Sequence, residues 1–144
     1  MTGEYLTDGR IEDGMQPRSF LRLEGLAVFA VAVGGYYLLG GPLWLFAVLA
    51  FAPDISMAGY LAGPQIGSWI YNIFHTYTLP IALGGLGFVT EVQIALLVAL
   101  VWAGHIGADR LVGYGLKYES GFNDTHLSTQ PAPIPTLTGP EKSD

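Results

Sequence analysis

From Phe20 to Leu39 the chain reads FLRLEGLAVFAVAVGGYYLL, twenty residues with two formal charges, Arg22 and Glu24, both near its start. At about 1.5 Å per residue, a helix of that length reaches the roughly 30 Å of a bilayer's hydrocarbon core. The chain beyond it is more apolar still. Between Gly25 and Gly104, eighty residues, the only formal charges are Asp54 and Glu91. Of all 144 residues, 51% are hydrophobic and 12% charged, about half the charged share of an ordinary soluble domain. The sequence therefore predicts an all-α integral membrane protein, a polytopic bundle of four transmembrane helices.

Glycine and proline divide the apolar stretch into four. Gly40, Gly41 and Pro42 close the first helix and open a second over about Leu43 to Leu61. Pro53 breaks that second helix, because an interior proline removes one backbone hydrogen bond and clashes with the preceding turn. Freed carbonyls and the Asp54 carboxylate then end up in one place. Gly63 and Pro64 precede a third helix from about Gln65 to Leu83, with Tyr71, Asn72 and His75 along it, Pro80 as a late kink and Gly84, Gly85 and Gly87 as its end. Thr90 and Gln93 match a capping box, and Glu91 between them suits a first turn. A fourth helix continues through Trp102 and His105 to about Val112. Gly59, Gly63 and Gly67, four residues apart, form a small face suited to tight helix packing or to a homodimer. The transmembrane domain thus runs over 20–118, between a polar segment at 1–19 and a polar, Pro-rich tail at 119–144 whose composition predicts disorder over most of its length.

Arg18 and Arg22 flank the first helix, Arg110 and Lys117 the last, and the three short turns contain no lysine or arginine. By the positive-inside rule both termini face the cytoplasm and the protein is a multi-pass protein of the cell membrane. The first residues lack the cationic start and cleavable apolar stretch of a signal peptide. A net charge of −6 without a basic stripe argues against nucleic acid as a partner, and membrane lipids are the partners that the composition implies. The absence of cysteine removes disulfides, thiolate metal sites and cysteine nucleophiles together. Gly113 to Tyr118 contain a glycine turn and one lysine without the spacing of a phosphate-binding loop, so no nucleotide cofactor is expected.

An ionisable side chain at bilayer depth costs at least roughly 2.5 to 3.5 kcal/mol, so those found there pair, line water or do work. Five qualify: Glu24, Asp54, His75, His105 and Asp109. Counted from each helix's cytoplasmic end, they lie about 5 to 15 Å deep, all in the inner half of the membrane. His105 and Asp109, four apart, share one helical face and can ligate one cation. With Asp54 and His75 they make a mixed nitrogen and oxygen set suited to zinc, manganese or ferrous iron, and Glu24 is placed as a fifth ligand or as a general base. No Glu-x-x-His pair or His-Glu-x-x-His motif is present. The structural alternatives are an Asp109–Arg110 ion pair at the membrane edge, Glu24 and Arg22 at headgroup level, and histidines that only clamp neighbouring helices.

Several strings together resemble a family. Leu23-Glu24-Gly25, Ala52-Pro53-Asp54-Ile55-Ser56-Met57 with Gly59-Tyr60, Tyr71-Asn72 with His75-Thr76, His105-Ile106-Gly107 with Asp109-Arg110, Gly113 to Tyr118, and Thr125-His126-Leu127 are similar to the small bacterial and archaeal membrane proteins of domain-of-unknown-function family 4260. The resemblance spans about Phe20 to Ser128. It implies a four-helix membrane fold and implies that the five ionisable residues belong to the family's motifs, without implying a substrate. In residue order alone, the chain is also similar to inner-membrane metal-dependent hydrolases that place an aspartate, two histidines and an aspartate on successive helices. The leading expectation is a metal-dependent membrane hydrolase acting on a lipid-like ester or phosphoester at the cytoplasmic leaflet. The alternatives are a small transporter or channel subunit relaying protons or cations, and a non-catalytic membrane assembly protein.

Overall fold

The computed structural model describes residues 16–120, 122–123 and 125–127. Over these residues the protein is helical: α1 (Pro17–Leu38), α2 (Leu43–Leu49), a 3₁₀ segment (Ala52–Ala62), α3 (Pro64–Phe74), α4 (Thr78–Val89) and α5 (Gln93–Val112). The prolines explain this division. Pro17 and Pro64 open α1 and α3, Pro42 caps α2, Pro53 is the second residue of the 3₁₀ segment, and Pro80 is the third residue of α4. At such positions the missing N–H has no intrahelical partner to lose.

Three stretches are long and apolar enough to cross a membrane: Pro17–Leu38, Leu43–Ala62 and Gln93–Val112. Their outward faces are apolar, with Val31 72% and Leu61 93% exposed, the pattern of a surface made for lipid. The second stretch is broken, as Pro53 predicts, between Leu49 and Ala52. Its 3₁₀ half rises by about 2 Å per residue, which lets 20 residues cover a full hydrocarbon thickness despite the break.

The third helix departs from expectation. It is two helices separated at His75–Tyr77, because Pro80 would clash with the carbonyl of Thr76 and a new helix must start after that point. Nor do Gly84, Gly85 and Gly87 end it; they lie inside α4, where Gly87 lets α4 meet α5. A Cβ on Gly87 would stand 2.8 Å from Ala95 Cβ and 3.0 Å from the Leu96 nitrogen. The capping box is also absent. Thr90 donates to the Leu86 carbonyl at 2.7 Å, Gln93 donates to the Leu39 carbonyl at the end of α1 at 2.7 Å, and Glu91 sits in the turn with φ +57°.

α1 and α5 form the antiparallel spine. Gly25 and Gly107 meet backbone to backbone, since a Cβ on either would lie 2.6–2.7 Å from the other's carbonyl oxygen. Higher up, Tyr36, Leu97 and Val101 pack with Phe46 and Leu49, and the Tyr36 hydroxyl closes the turn by donating to the Pro42 carbonyl at 2.6 Å. α4 packs on α5, and α3 packs on the 3₁₀ segment through Gly59 and Gly67, where a Cβ on Gly67 would collide with Tyr60. Those two glycines therefore serve packing within the chain. The expected polar segment 1–19 and tail 119–144 fall mostly outside the described residues. Inside them, the chain after α5 folds back onto α3: Lys117 pairs with Thr125, and Thr125 and Leu127 are buried.

Candidate metal centre

The two helix breaks and the inner half of α5 deliver four side chains to one point. Asp54 stands in the first turn of the 3₁₀ segment, His75 ends α3, and His105 and Asp109 lie one turn apart on α5. His75 is fully buried, while the Asp54 and Asp109 side chains are 35% and 18% exposed. Asp54 Oδ1 lies 3.4 Å from His75 Nε2 and 3.2 Å from His105 Nε2. Asp109 Oδ2 lies 3.6 Å and 3.4 Å from the same two atoms, and the two Nε2 atoms are 3.3 Å apart. One ligand atom from each residue lies within 4.8 Å of all the others.

These separations are long and even. Charge-assisted hydrogen bonds would be about 2.7–2.9 Å, and one bond would stand out from the rest. Five of the six separations are 3.2–3.6 Å and the sixth, between the two carboxylates, lies within 4.8 Å; a regular tetrahedron with edges like those five would place its centre about 2.0–2.2 Å from each corner, the length of zinc bonds to nitrogen and oxygen. Calcium, with bonds of roughly 2.3–2.6 Å to oxygen alone, fits neither the size nor the nitrogens.

Hydrogen bonds behind the ligands fix their orientation. His75 Nδ1 lies 2.9 Å from the Tyr71 carbonyl and His105 Nδ1 2.6 Å from the Ala50 carbonyl. A carbonyl only accepts, so both Nδ1 atoms carry the proton, and in the neutral rings both Nε2 lone pairs face the centre. Two lone pairs and two carboxylate oxygens converging on one point call for a cation, and a carbonyl behind each histidine is the usual support of metal-bound imidazole. The Tyr71 ring stacks on His75 at 3.7 Å between centroids.

The same α5 face closes the breaks. A carbonyl without a partner at membrane depth costs several kcal/mol. His105 serves Ala50 at the end of α2, the Trp102 indole donates to the Phe74 carbonyl at 2.7 Å, and Arg110 donates to the His75 carbonyl at 2.9 Å and to the Tyr114 carbonyl at 3.0 Å. Arg110 is thus a clamp on the α3 end, while the Asp109 carboxylate faces the histidines. Sequence reasoning misses Trp102 and Arg110 as parts of the site; the position of Trp102 three residues before His105 on α5 is a signal that could have found it, whereas Arg110, five residues after His105, carries none.

Glu24 is not brought to this point. It is exposed on α1, near Tyr77, and lies outside the group of four. Its neighbour Arg22 donates to the Leu111 carbonyl at 2.8 Å.

Two cavities reach the carboxylates. One of about 270 Å³ is walled by Phe29, Phe46, Phe51 and Val101 and ends on Asp54, His105 and Asp109. The other, about 400 Å³, lies under the segment after α5 and is lined by Asp54, Asp109, Tyr71, Lys117 and Asn123. Asn72 pins that segment: its amide accepts from the Lys117 N–H and donates to the Lys117 carbonyl, each at 2.7 Å. Burial holds the Lys117 ammonium below its ordinary range, partly opposed by the Asp109 charge. His126 Nδ1 accepts from the Leu116 N–H at 2.8 Å, and burial holds this imidazole below its ordinary range.

A family model described as a domain of unknown function (DUF4260) matches residues 18–129, a stretch that contains all four converging residues and the segment after α5. No curated protein and no solved structure matches the chain.

Proposed function

The chain belongs to that family, DUF4260, and from the chemistry of its site we propose that it is a metal-dependent hydrolase of the cell membrane, acting on a lipid-like ester or phosphoester at the cytoplasmic leaflet. The observation that carries this reading is the convergence of Asp54, His75, His105 and Asp109 on one point, each histidine backed by a carbonyl. Zinc is the ion that their separations and mixed nitrogen and oxygen donors favour; manganese or ferrous iron would use the same four ligands with two positions left over.

The antiparallel contact of α1 with α5 supports four crossings. Two full spans that run in opposite directions bring residues 17 and 112 to one side, so the chain between them crosses an even number of times. With Leu43–Ala62 as one crossing, α3 and α4 together make the other, since neither is long enough alone. Arg18, Arg22, Arg110 and Lys117 all belong to the end that carries the site, which supports a cytoplasmic placement of that end and of both termini.

A divalent metal held by these ligands supplies Lewis acidity and a water acidified toward neutral pH. The protein's own part is positioning. The apolar cavity, at membrane depth, suits the chain of an amphiphile, and the polar cavity admits water and a headgroup. Both end on Asp54 and Asp109, so a fifth ligand can approach the edge that the histidines leave open.

One observation favours a second reading. Four protein ligands already complete a tetrahedron, as in structural zinc sites, and they tie both helix breaks to α5, which is what a non-catalytic assembly protein needs. The deciding experiment is elemental analysis of the untagged protein in detergent beside His75→Ala and His105→Ala, with turnover of long-chain esters and phosphoesters measured on the same preparations. Near-stoichiometric metal, lost in both variants, together with metal-dependent turnover supports the hydrolase. Metal without turnover favours a metal-bound clamp, and a metal-free parent that cannot be reloaded overturns the hydrolase and leaves a clamp held by hydrogen bonds alone.

A further inference from the structure

We propose, resting on the metal reading above, that Lys117 binds a phosphate group presented to the metal centre, which makes the substrate class a phosphoester and not a neutral carboxylic ester. Lys117 is only 7% exposed, although lysine is almost never buried without a partner. Its ammonium lies 4.5 Å above the Tyr71 ring and 3.7 Å above the Phe122 ring and donates to the Phe122 carbonyl at 2.8 Å. That bond uses one of three donors. The position is built for this purpose: Asn72 holds both backbone groups of Lys117, and Thr125 bridges to it.

Charge counting points the same way. A divalent ion cancels Asp54 and Asp109, and the histidines are neutral, so the loaded centre has no net charge. Arg110 directs its two terminal nitrogens to the His75 and Tyr114 carbonyls, which leaves Lys117 as the cation facing the cavity that ends on the metal ligands. A carboxylic ester offers a buried ammonium nothing that water does not. A phosphate offers it a charged acceptor while another oxygen reaches the metal. The phosphate can belong to a lipid headgroup or arrive as a free anion, and the chemistry at Lys117 is the same.

The test is isothermal titration calorimetry on the full-length, zinc-loaded protein in detergent, with hexadecyl phosphate, hexadecanol and inorganic phosphate, for the parent, Lys117→Met and Lys117→Arg. Zinc per chain is measured on the same samples. The parent is expected to bind hexadecyl phosphate at least tenfold more tightly than hexadecanol, the scale of a hydrogen bond between charged groups. Lys117→Met should lose that preference and Lys117→Arg keep most of it, with zinc content unchanged. Inorganic phosphate binding as tightly as hexadecyl phosphate would identify the free anion, and weaker binding would identify the headgroup; either supports the site. Equal affinity of the parent for hexadecyl phosphate and hexadecanol overturns the proposal whether or not the variants fold, as does an undiminished preference in Lys117→Met. A parent that takes up neither zinc, manganese nor iron overturns the metal reading and with it the presentation of the phosphate to a metal, while calorimetry on that metal-free protein still decides whether Lys117 binds phosphate.

Discussion

Replacing His105 with alanine removes two interactions at once, and their sizes can be worked separately. The first is the Nδ1–H bond to the Ala50 carbonyl at 2.6 Å. Without it, a half-buried acceptor at the end of α2 has no donor, a loss of about 1–3 kcal/mol that does not depend on metal. The second is one corner of the tetrahedron. Even the loss of a group that only supports a metal ligand weakens binding about 10- to 100-fold, so loss of the ligand itself is expected to cost at least about a hundredfold. At free zinc 100 times the parent's Kd, binding stabilises the fold by about 2.7 kcal/mol, and a hundredfold weaker site at the same free zinc retains only about 0.4 kcal/mol. The assay is thermal unfolding in detergent across buffered free zinc, with chelator as the baseline. The parent's Tm should climb with zinc, and His105→Ala should start lower in chelator and begin to climb two decades later. A parent whose Tm ignores zinc, or a variant that follows the parent's curve, refutes the reasoning.

Trp102→Phe should lose the bond to the Phe74 carbonyl and lower stability by about 1–3 kcal/mol in the same unfolding assay, while zinc per chain stays at the parent's value. Gly107→Ala should drive α1 away from α5, because the new Cβ would stand 2.7 Å from the Gly25 carbonyl oxygen. A cost of roughly 1–3 kcal/mol is expected from such overpacking, read as a lower Tm with and without chelator. Acid should loosen the segment after α5. His126 accepts a hydrogen bond in its neutral form and its pKa is held below the ordinary value, so its contribution is full above the unfolded-state pKa of about 6.5 and falls as pH drops below it. Protection of the Leu116 and Lys117 amides, measured against the intrinsic exchange rate at each pH, should fall below that pH in the parent, and His126→Ala should abolish the pH step.

The membrane class, the break ahead of Asp54 and the convergence of two aspartates with two histidines are legible in the sequence because each rests on a local rule: apolar length, proline chemistry, and the cost of charge at depth. The division of the third helix is not, for a reason equally local. Pro80 reads as a kink within a helix, whereas a proline whose ring would clash with Thr76 is more cheaply placed in a helix's first turn, and every proline among the described residues opens or caps a helix in that way. Glu24 shares the depth of the other four, but depth says nothing about which side of a helix faces the bundle. Gly25 faces α5 at backbone contact, and the residue before it is left exposed. Asn72 and Lys117 are visible as residues; their pairing, 45 positions apart, emerges only once the chain after α5 turns back.

The two broken helices and the four converging side chains are one device. In a bundle of unbroken helices packed about 8–10 Å apart, aspartate and histidine side chains on three elements reach a common point only from helix faces of fixed spacing. Ending α2 and α3 at the same level replaces faces with termini, and termini can be drawn inward. The cost is a set of carbonyls left open in a region without water. Trp102, His105 and Arg110, all on the unbroken α5, close three of them at Phe74, Ala50 and His75. His105 belongs to both sets: one ring nitrogen closes a break and the other completes the tetrahedron. A metal bound there would therefore be coupled to closure of the α2 break through a single imidazole. Removing the metal while His105 remains should leave the Ala50 bond in place, whereas removing His105 must open both.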